Sequence, residues 1–277
     1  MKRKILMDED TVVSPETVET QKVANKDMAG DSRLPADGFN AVDLPSNGKF
    51  GYPAFADYRD IMVRDEEILS SATEATYAKT LNSVLKSVMN NCEFYEQLTI
   101  HDRDFMIVWV WANNYSPTKT VNVTCSNPEC THVTSHTVDL RTLPQKDIAE
   151  NIKTIQIPIK KTGGHVNVRL NTVKDELIAA ELVRKNKELR YDTVMLALSI
   201  DLGMEVPLDV KLNWIRDNIS GREMGLIRKY HTHFSYGIEP SMEYQCESCG
   251  EVTQGAIPFQ AEDILFPTVS ADFEEFL

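Results

Sequence analysis

The chain has 277 residues, of which 42 are acidic and 29 are basic, so its formal net charge at pH 7 is −13. Hydrophobic residues make up 42% of the sequence, which is enough for a buried core and excludes a wholly disordered chain. The negative charge argues against general binding to a phosphate backbone, because such binding depends on Lys and Arg displacing counterions. The length suits one large domain or two modest ones.

The sequence carries no sign of secretion or of membrane insertion. Its first ten residues, MKRKILMDED, are partly basic but lack the apolar centre of a signal peptide. No uninterrupted apolar run approaches the roughly 20 residues that a membrane helix needs. We therefore expect synthesis in a reducing cytosol and no membrane partner. In that compartment, closely spaced cysteines bind metal more often than they form disulfides.

The N-terminal part of the chain consists of a polar segment followed by a segment that is predicted to be helical. Residues 1–43 are mostly polar, and we expect a flexible arm that is either a spacer or a segment that folds on a partner. Residues 44–119 are predicted to form a helical region that begins with a packed loop. Within it, two stretches with apolar residues at helical spacing predict two amphipathic helices. Asp102 and Asp104 open the second stretch, where we expect their carboxylates to cap the helix.

Alternation with a period of two begins at residue 120. It predicts a β-hairpin over 120–140 and a second hairpin over 155–170, in which Pro158 confines its strand to an edge. Helices follow, and one of them is expected to start at the S-x-x-E capping box that begins with Ser220. After Gly237 the pattern becomes extended again.

Four of the five cysteines form two close pairs in similar β contexts, Cys125 with Cys130 and Cys246 with Cys249. Each pair flanks a predicted turn, and a tight turn brings two sulfurs to one side of the backbone. Four thiolates bind Zn²⁺ tetrahedrally and leave no position for a catalytic water. We therefore predict one structural zinc ion per chain, held by these four cysteines and joining two hairpins.

Other roles for these residues remain open. The four thiols could stay reduced and unligated, or His132 or His136 could replace one cysteine as a ligand. A redox role for the second pair is disfavoured, because the sequence after Cys249 is extended and not helical. Cys92 lies at the end of a predicted helix and is expected to be a buried or half-buried small hydrophobe.

No short motif typical of a catalytic site occurs in the chain. An enzyme would have to bring together His231, His233, Asp102 and Asp104, which are widely separated in the sequence. On a helix, the two histidines would point in nearly opposite directions. The sequence therefore predicts no catalytic residue.

Residues 266–277 combine acidic and aromatic side chains in an acidic aromatic tail. Acids favour exposure, whereas aromatic rings are common anchors in protein interfaces. We expect either a frayed end or a docking peptide whose anchors are Phe266, Phe273 and Phe276.

Several features follow one another in a specific order. They are the LPSNGKF turn that begins at Leu44, the helix that starts RDEEIL at Arg64, the sequence Asp102-Arg103-Asp104 before an apolar helix, and the two cysteine pairs. This order resembles that of the T-even-type bacteriophage baseplate hub family and covers most of residues 44–265. The chain departs from the family pattern by inserting Gly51 and by the four-residue spacing within the first cysteine pair.

The resemblance implies a structural subunit of a contractile tail baseplate, located in the virion and assembled in the host cytoplasm. Its partners would be other baseplate, hub or tail-tube subunits, and homo-oligomerisation within the particle stays open. One alternative is a tail assembly chaperone that is not retained in the virion. Another is a zinc-ribbon module that binds nucleic acid, which the charge of −13 disfavours.

Taken together, the patterns predict an α+β fold with an N-terminal helical region. Two β-hairpin zinc knuckles, at 120–140 and 238–265, would form a zinc-ribbon-like unit spanning 120–265. A mostly helical insertion with one β-hairpin, residues 141–237, would separate the two knuckles.

Overall fold

The computed structural model describes residues 38–256, except 74, 75, 151, 153, 204, 205 and 240. The predicted tail, with Phe266, Phe273 and Phe276, and residues 1–37 of the predicted arm lie outside the described residues. The arm boundary at residue 43 is wrong, because Asn40–Asp43 form strand β1 and pair with β2, Phe55–Tyr58. Burial explains the difference, since Val42 in the middle of β1 is only 3% exposed.

The described part of the chain contains seven α-helices. They are α1 (Val63–Ser70), α2 (Tyr77–Val88), α3 (Ile100–Asn114), α4 (Val173–Lys185), α5 (Tyr191–Ser199), α6 (Leu208–Asn218) and α7 (Gly221–His233). Helices α2 and α3 confirm the two amphipathic helices predicted from spacing. The Ser220 capping box is also confirmed, since the Ser220 Oγ accepts from the Glu223 amide and the Glu223 carboxylate accepts from the Ser220 amide. No helix in the described ranges is long and apolar enough to cross a membrane.

Helix α3 begins differently from the prediction. Its cap is Thr99, whose Oγ1 accepts a hydrogen bond from the Asp102 amide. The Asp102 side chain is fully buried and turns into the protein, whereas the exposed carboxylate of Asp104 accepts from Arg103 Nε at 2.8 Å. The capping role predicted for the two aspartates is therefore wrong, and a threonine three residues earlier takes it.

The strands are short and all their pairings are antiparallel. After β1 and β2 they are β3 (Thr118–Thr124), β4 (Val133–Asp139), β5 (Gln145–Lys146), β6 (Ile155–Ile159), β7 (Gly164–Val168), β8 (Ile200–Asp201), β9 (Gly237–Ile238), β10 (Ser241–Gln245) and β11 (Val252–Ala256). Strands pair as β1–β2, β3–β4, β5–β9 and β10–β11, and β6, β7 and β8 form a three-stranded sheet. Pro158 lies on the edge strand β6, as predicted. Small sheets combined with separate helices give the predicted α+β class.

Two hydrophobic cores organise these elements. The first lies around α2, α3 and the β3–β4 hairpin and includes Met106 and Val110. The second lies between the β6–β7–β8 sheet and helices α4–α7 and includes Ile159 and Ile227. Tyr244 of β10 belongs to the first core. The chain therefore returns to the N-terminal core after the helical insertion, and this return brings β10–β11 beside β3–β4.

Candidate metal centre

Each cysteine pair lies at the turn of a β-hairpin, and the two turns close in the same way. In the β3–β4 hairpin, the Cys125 amide donates to the carbonyl of His132 at 2.8 Å. In the β10–β11 hairpin, the Cys246 amide donates to the carbonyl of Glu251, also at 2.8 Å. The first cysteine of each pair is thus fixed by the last ladder bond before the turn.

Both turns contain a left-handed residue directly after the second cysteine. Gly250 follows Cys249 with φ of 76°, and Thr131 follows Cys130 with φ of 46°. Glycine adopts this conformation without steric cost, whereas a β-branched residue there is strained. Equivalent reversals therefore present the two sulfurs of each pair to the same side, and the four-residue spacing of the first pair does not prevent it.

The two hairpins contact each other beside these turns. The Ser126 amide and hydroxyl both approach the hydroxyl of Thr253, at 3.0 and 3.1 Å. Further along β11, a Cβ built on Gly255 would lie 2.8 Å from the Tyr244 ring and 3.0 Å from a methyl group of Val123. Only a residue without a side chain allows this approach, so Gly255 helps to seat one hairpin on the other.

This docking brings all four cysteine sulfurs together. Every Sγ lies within 4.8 Å of the others, and two of the contacts join the hairpins directly: Cys125 to Cys249 at 3.6 Å and Cys130 to Cys246 at 3.8 Å. Tetrahedral zinc with Zn–S bonds of about 2.3 Å separates its sulfurs by about 3.8 Å. The arrangement therefore has the donor set and the dimensions of a four-thiolate metal site.

The electrostatics of the cluster also favour a cation. Backbone amides of Cys249 and Ser248 donate to the Cys246 sulfur and lower its pKa to about 6. The amide of Glu251 acts in the same direction on Cys249, but burial and the three neighbouring sulfurs outweigh it and raise the pKa of Cys249 to about 12. Four thiolates in this space repel one another, and a bound divalent cation would remove that repulsion.

The structure does not gather the other candidate residues. In the described ranges, the four cysteines are the one group of three or more His, Cys, Asp or Glu side chains able to share an ion, so His132 and His136 do not join them. The His136 ring instead contacts the Tyr244 ring, with centroids 4.8 Å apart. His231, His233, Asp102 and Asp104 form no such group either. Cys92 is half-buried against the first core.

The LPSNGKF turn leads into a buried polar network that sequence reasoning missed. The Asp102 carboxylate accepts from the Ser46 amide at 3.0 Å and from the Tyr52 hydroxyl at 2.6 Å. Thr99 Oγ1 forms a hydrogen bond with the Tyr236 hydroxyl, 137 residues away in sequence. Burial raises the pKa of Asp102, although the hydrogen bonds that its carboxylate accepts act to lower it. Burial and the nearby Asp102 carboxylate raise the pKa of Tyr52 to about 12.

The comparisons with known proteins then identify the family. The family described as T4 bacteriophage base plate protein matches residues 38–266. The chain belongs to this family. No curated protein and no solved structure matches the chain.

Membership in the T4 base plate family agrees with the resemblance seen in the sequence. The match begins at residue 38, two residues before β1, and it includes both cysteine pairs and the LPSNGKF turn. A base plate family implies a structural role in the tail baseplate of the virion, assembly with other baseplate or tail proteins, and no enzymatic activity. The network around Asp102 and the cysteine cluster both lie within the residues that match the family.

Proposed function

We propose that this chain is a structural protein of a contractile phage tail baseplate, at or near the hub, that acts by contacting neighbouring subunits. The family membership carries this proposal. The closed set of four cysteines supports it, because a fully thiolate-coordinated ion has no open position for substrate or water. The finer location at the hub rests on the resemblance of the sequence to hub proteins.

We also propose that Cys125, Cys130, Cys246 and Cys249 hold one structural zinc ion. When bound, zinc would supply a rigid cross-link between the β3–β4 and β10–β11 hairpins and would couple their folding. Elemental analysis of the purified protein tests this directly, with one zinc per chain expected. A protein that is folded and free of metal after purification in zinc-containing buffer would refute the assignment.

Whether the chain stays in the finished particle distinguishes a virion subunit from an assembly chaperone. We expect quantitative mass spectrometry of purified virions to find this chain at a fixed ratio to other baseplate proteins. A chaperone would instead be abundant in infected cells and depleted from finished particles, and that result would contradict the proposed structural role.

The zinc knuckles are poor candidates for binding nucleic acid. Every charged side chain within the two turns is acidic and exposed, namely Glu129, Glu247 and Glu251. Such a surface repels phosphates. We expect no salt-dependent retention of the protein on immobilised DNA through these turns, and retention that Glu247→Lys strengthens while Cys246→Ser abolishes it would favour the nucleic-acid alternative.

A further inference from the structure

The outward face of α7 is basic, and among the residues that the structure describes no acidic side chain forms an ion pair with it. We define this face by Arg222, Gly225, Leu226, Arg228 and Lys229. The three cations are exposed, and in the described ranges none of them forms an ion pair. Leu226 is 43% exposed. The face therefore offers positive charge together with apolar surface.

The one acid of α7 does not neutralise this face. Glu223 is 4% exposed and points inward, where its carboxylate accepts from the amides of Ser220 and Lys160. The Lys160 side chain at the neighbouring β6–β7 turn is itself exposed. Positive charge thus extends past the N-terminal end of the helix.

Gly225 lies at the centre of this face, and the fold does not require a glycine there. It occupies a helix interior, where glycine costs about 1 kcal/mol relative to alanine. A Cβ added at Gly225 would meet no atom within 4 Å. The absent side chain leaves a flat gap bordered by Arg222 at i−3, Arg228 at i+3 and Lys229 at i+4. A planar ring placed on this gap would have cations around it.

The chain itself contains a segment of complementary chemistry. Residues 262–277 hold five acids, no basic residue and three phenylalanines, and they include the sequence Phe273-Glu274-Glu275-Phe276. After residue 237 the whole sequence contains no Lys or Arg. This acidic and aromatic segment thus lies C-terminal in the sequence to the helix whose outward face is basic.

The geometry permits contact within one chain. Strand β11 ends at Ala256, which pairs with Ser241, eight residues after the end of α7. Twenty-one residues follow Ala256, and an extended chain of that length reaches about 70 Å. Helix α7 has 13 residues and is therefore about 20 Å long. Because the segment is tethered near the helix, its effective concentration there is high.

We propose that residues 262–277 dock on the outward face of α7 in the same chain. An aromatic ring of the segment lies over Gly225, and carboxylates at 272–275 pair with Arg222, Arg228 and Lys229. The docked segment covers the exposed Leu226. The net charge of this face therefore depends on whether the segment is docked.

Carbodiimide cross-linking of the purified full chain tests the contact, because the reagent joins a lysine amine to a carboxylate in direct contact. We expect a peptide that links Lys229 to Asp272, Glu274 or Glu275, with a yield that falls as salt rises. Lys187, which is equally exposed and has no ion pair in the described ranges, serves as the internal control. Equal yields at Lys187 and Lys229 would overturn the proposal.

Two kinds of variant distinguish the contribution of the charges to docking from that of the open space at Gly225. Replacing Arg222 and Arg228 by glutamine should lower the yield at Lys229 about tenfold, because exposed ion pairs are lost while the lysine amine and the carboxylates that react stay in place. Gly225→Leu should lower the yield by a similar factor and should not lower the thermal midpoint, because it fills open space and favours the helix. Lys187→Glu is the matched charge control and should leave the yield unchanged.

Two further results would overturn the proposal. In a mixture of ¹⁴N- and ¹⁵N-labelled protein, links that join unlike labels would show that the segment contacts another copy. If no link forms and the full chain binds a duplex oligonucleotide that Arg222→Glu no longer binds, the face is a nucleic-acid site. Links within one isotope label, weakened when Arg222 and Arg228 are replaced by glutamine, support the proposal.

Discussion

Replacing Cys246 by serine should lower the free energy of unfolding by about 5 kcal/mol when zinc is present. The cluster ties residues 130 and 246, which are 116 positions apart. Restricting the unfolded chain by a cross-link of that length contributes about 5 kcal/mol on the chain-entropy relation used for disulfides. Typical domains have a total stability of 5–15 kcal/mol, so the variant should be close to unfolding.

Guanidinium unfolding in zinc-containing buffer, followed by tryptophan fluorescence, measures this loss. Trp111 is a suitable reporter because it is buried in the first core, which also contains Tyr244 of the second cysteine hairpin. Cys92→Ser is the matched control, because Cys92 is half-buried and lies outside the cluster. We expect that control to lose only about 1 kcal/mol and to keep its metal.

A chelator supplies the second comparison. It should destabilise the wild type to the level of Cys246→Ser, lower the stability of Cys92→Ser by the same amount as that of the wild type, and leave Cys246→Ser unchanged. If the wild type and Cys246→Ser unfold at the same guanidinium concentration, with and without chelator, the cysteines are not a cross-link. The four-thiolate assignment would then fail.

Three other perturbations test the packing around the two cores. Gly255→Ala should destabilise by about 1–3 kcal/mol in urea unfolding, because its Cβ would overlap the Tyr244 ring of the same hairpin and press on a methyl group of Val123 in the β3–β4 hairpin; an unchanged midpoint would contradict this close packing. Glu176→Ala should cost about 3 kcal/mol by leaving the Arg103 guanidinium buried without its bidentate partner, and a cost below 1 kcal/mol would contradict that burial. Burial lowers the pKa of His101 to about 4, so the folded state binds fewer protons than the unfolded state between about pH 6.5 and 4, and stability falls as the pH decreases. His101→Phe should remove up to about 3 kcal/mol of this pH dependence in unfolding measured at pH 7 and 4.5, and identical profiles would refute it.

Local patterns in the sequence predicted much of the fold. The Ser220 capping box and the hairpin with Pro158 at its edge depend on neighbouring residues, so a single segment contains the whole signal. The cysteine cluster was predictable for a different reason. Four thiolates suit one tetrahedral ion, and two separate turns each present two of them.

Contacts between residues that are far apart in the sequence have no comparable local pattern from which they could be predicted. Nothing in the spacing around Thr99 indicates that its hydroxyl would meet Tyr236. Asp102, three residues later, resembles a capping residue because acids are common in the first turn of a helix, but threonine also favours the cap position and Thr99 occupies it. Asp102 is instead buried by the approach of the LPSNGKF turn, which only the tertiary fold determines.

The aromatic residues of this turn connect the two cores. The Tyr52 ring stacks on Phe94 of the first core, and the Phe50 ring stacks on Tyr236 of the second. The Tyr52 hydroxyl reaches Asp102 between them. A small displacement of the turn would therefore break the hydrogen bonds to the buried Asp102 carboxylate and would separate both pairs of stacked rings.

The helical insertion is thus held at both of its ends. At its start and finish, the β3–β4 and β10–β11 hairpins meet through the cysteines, while Tyr236, three residues after the end of α7, forms a hydrogen bond with Thr99 at the start of α3. Because residues 236–256 take part in both connections, the insertion cannot leave the first core without breaking the hydrogen bonds around Asp102 and straining the cysteine cluster. The protein should therefore unfold as one cooperative unit while the metal is bound. Without metal, the β10–β11 hairpin loses its cross-link but Tyr236 keeps its hydrogen bond, so the hairpin should become the first segment to open.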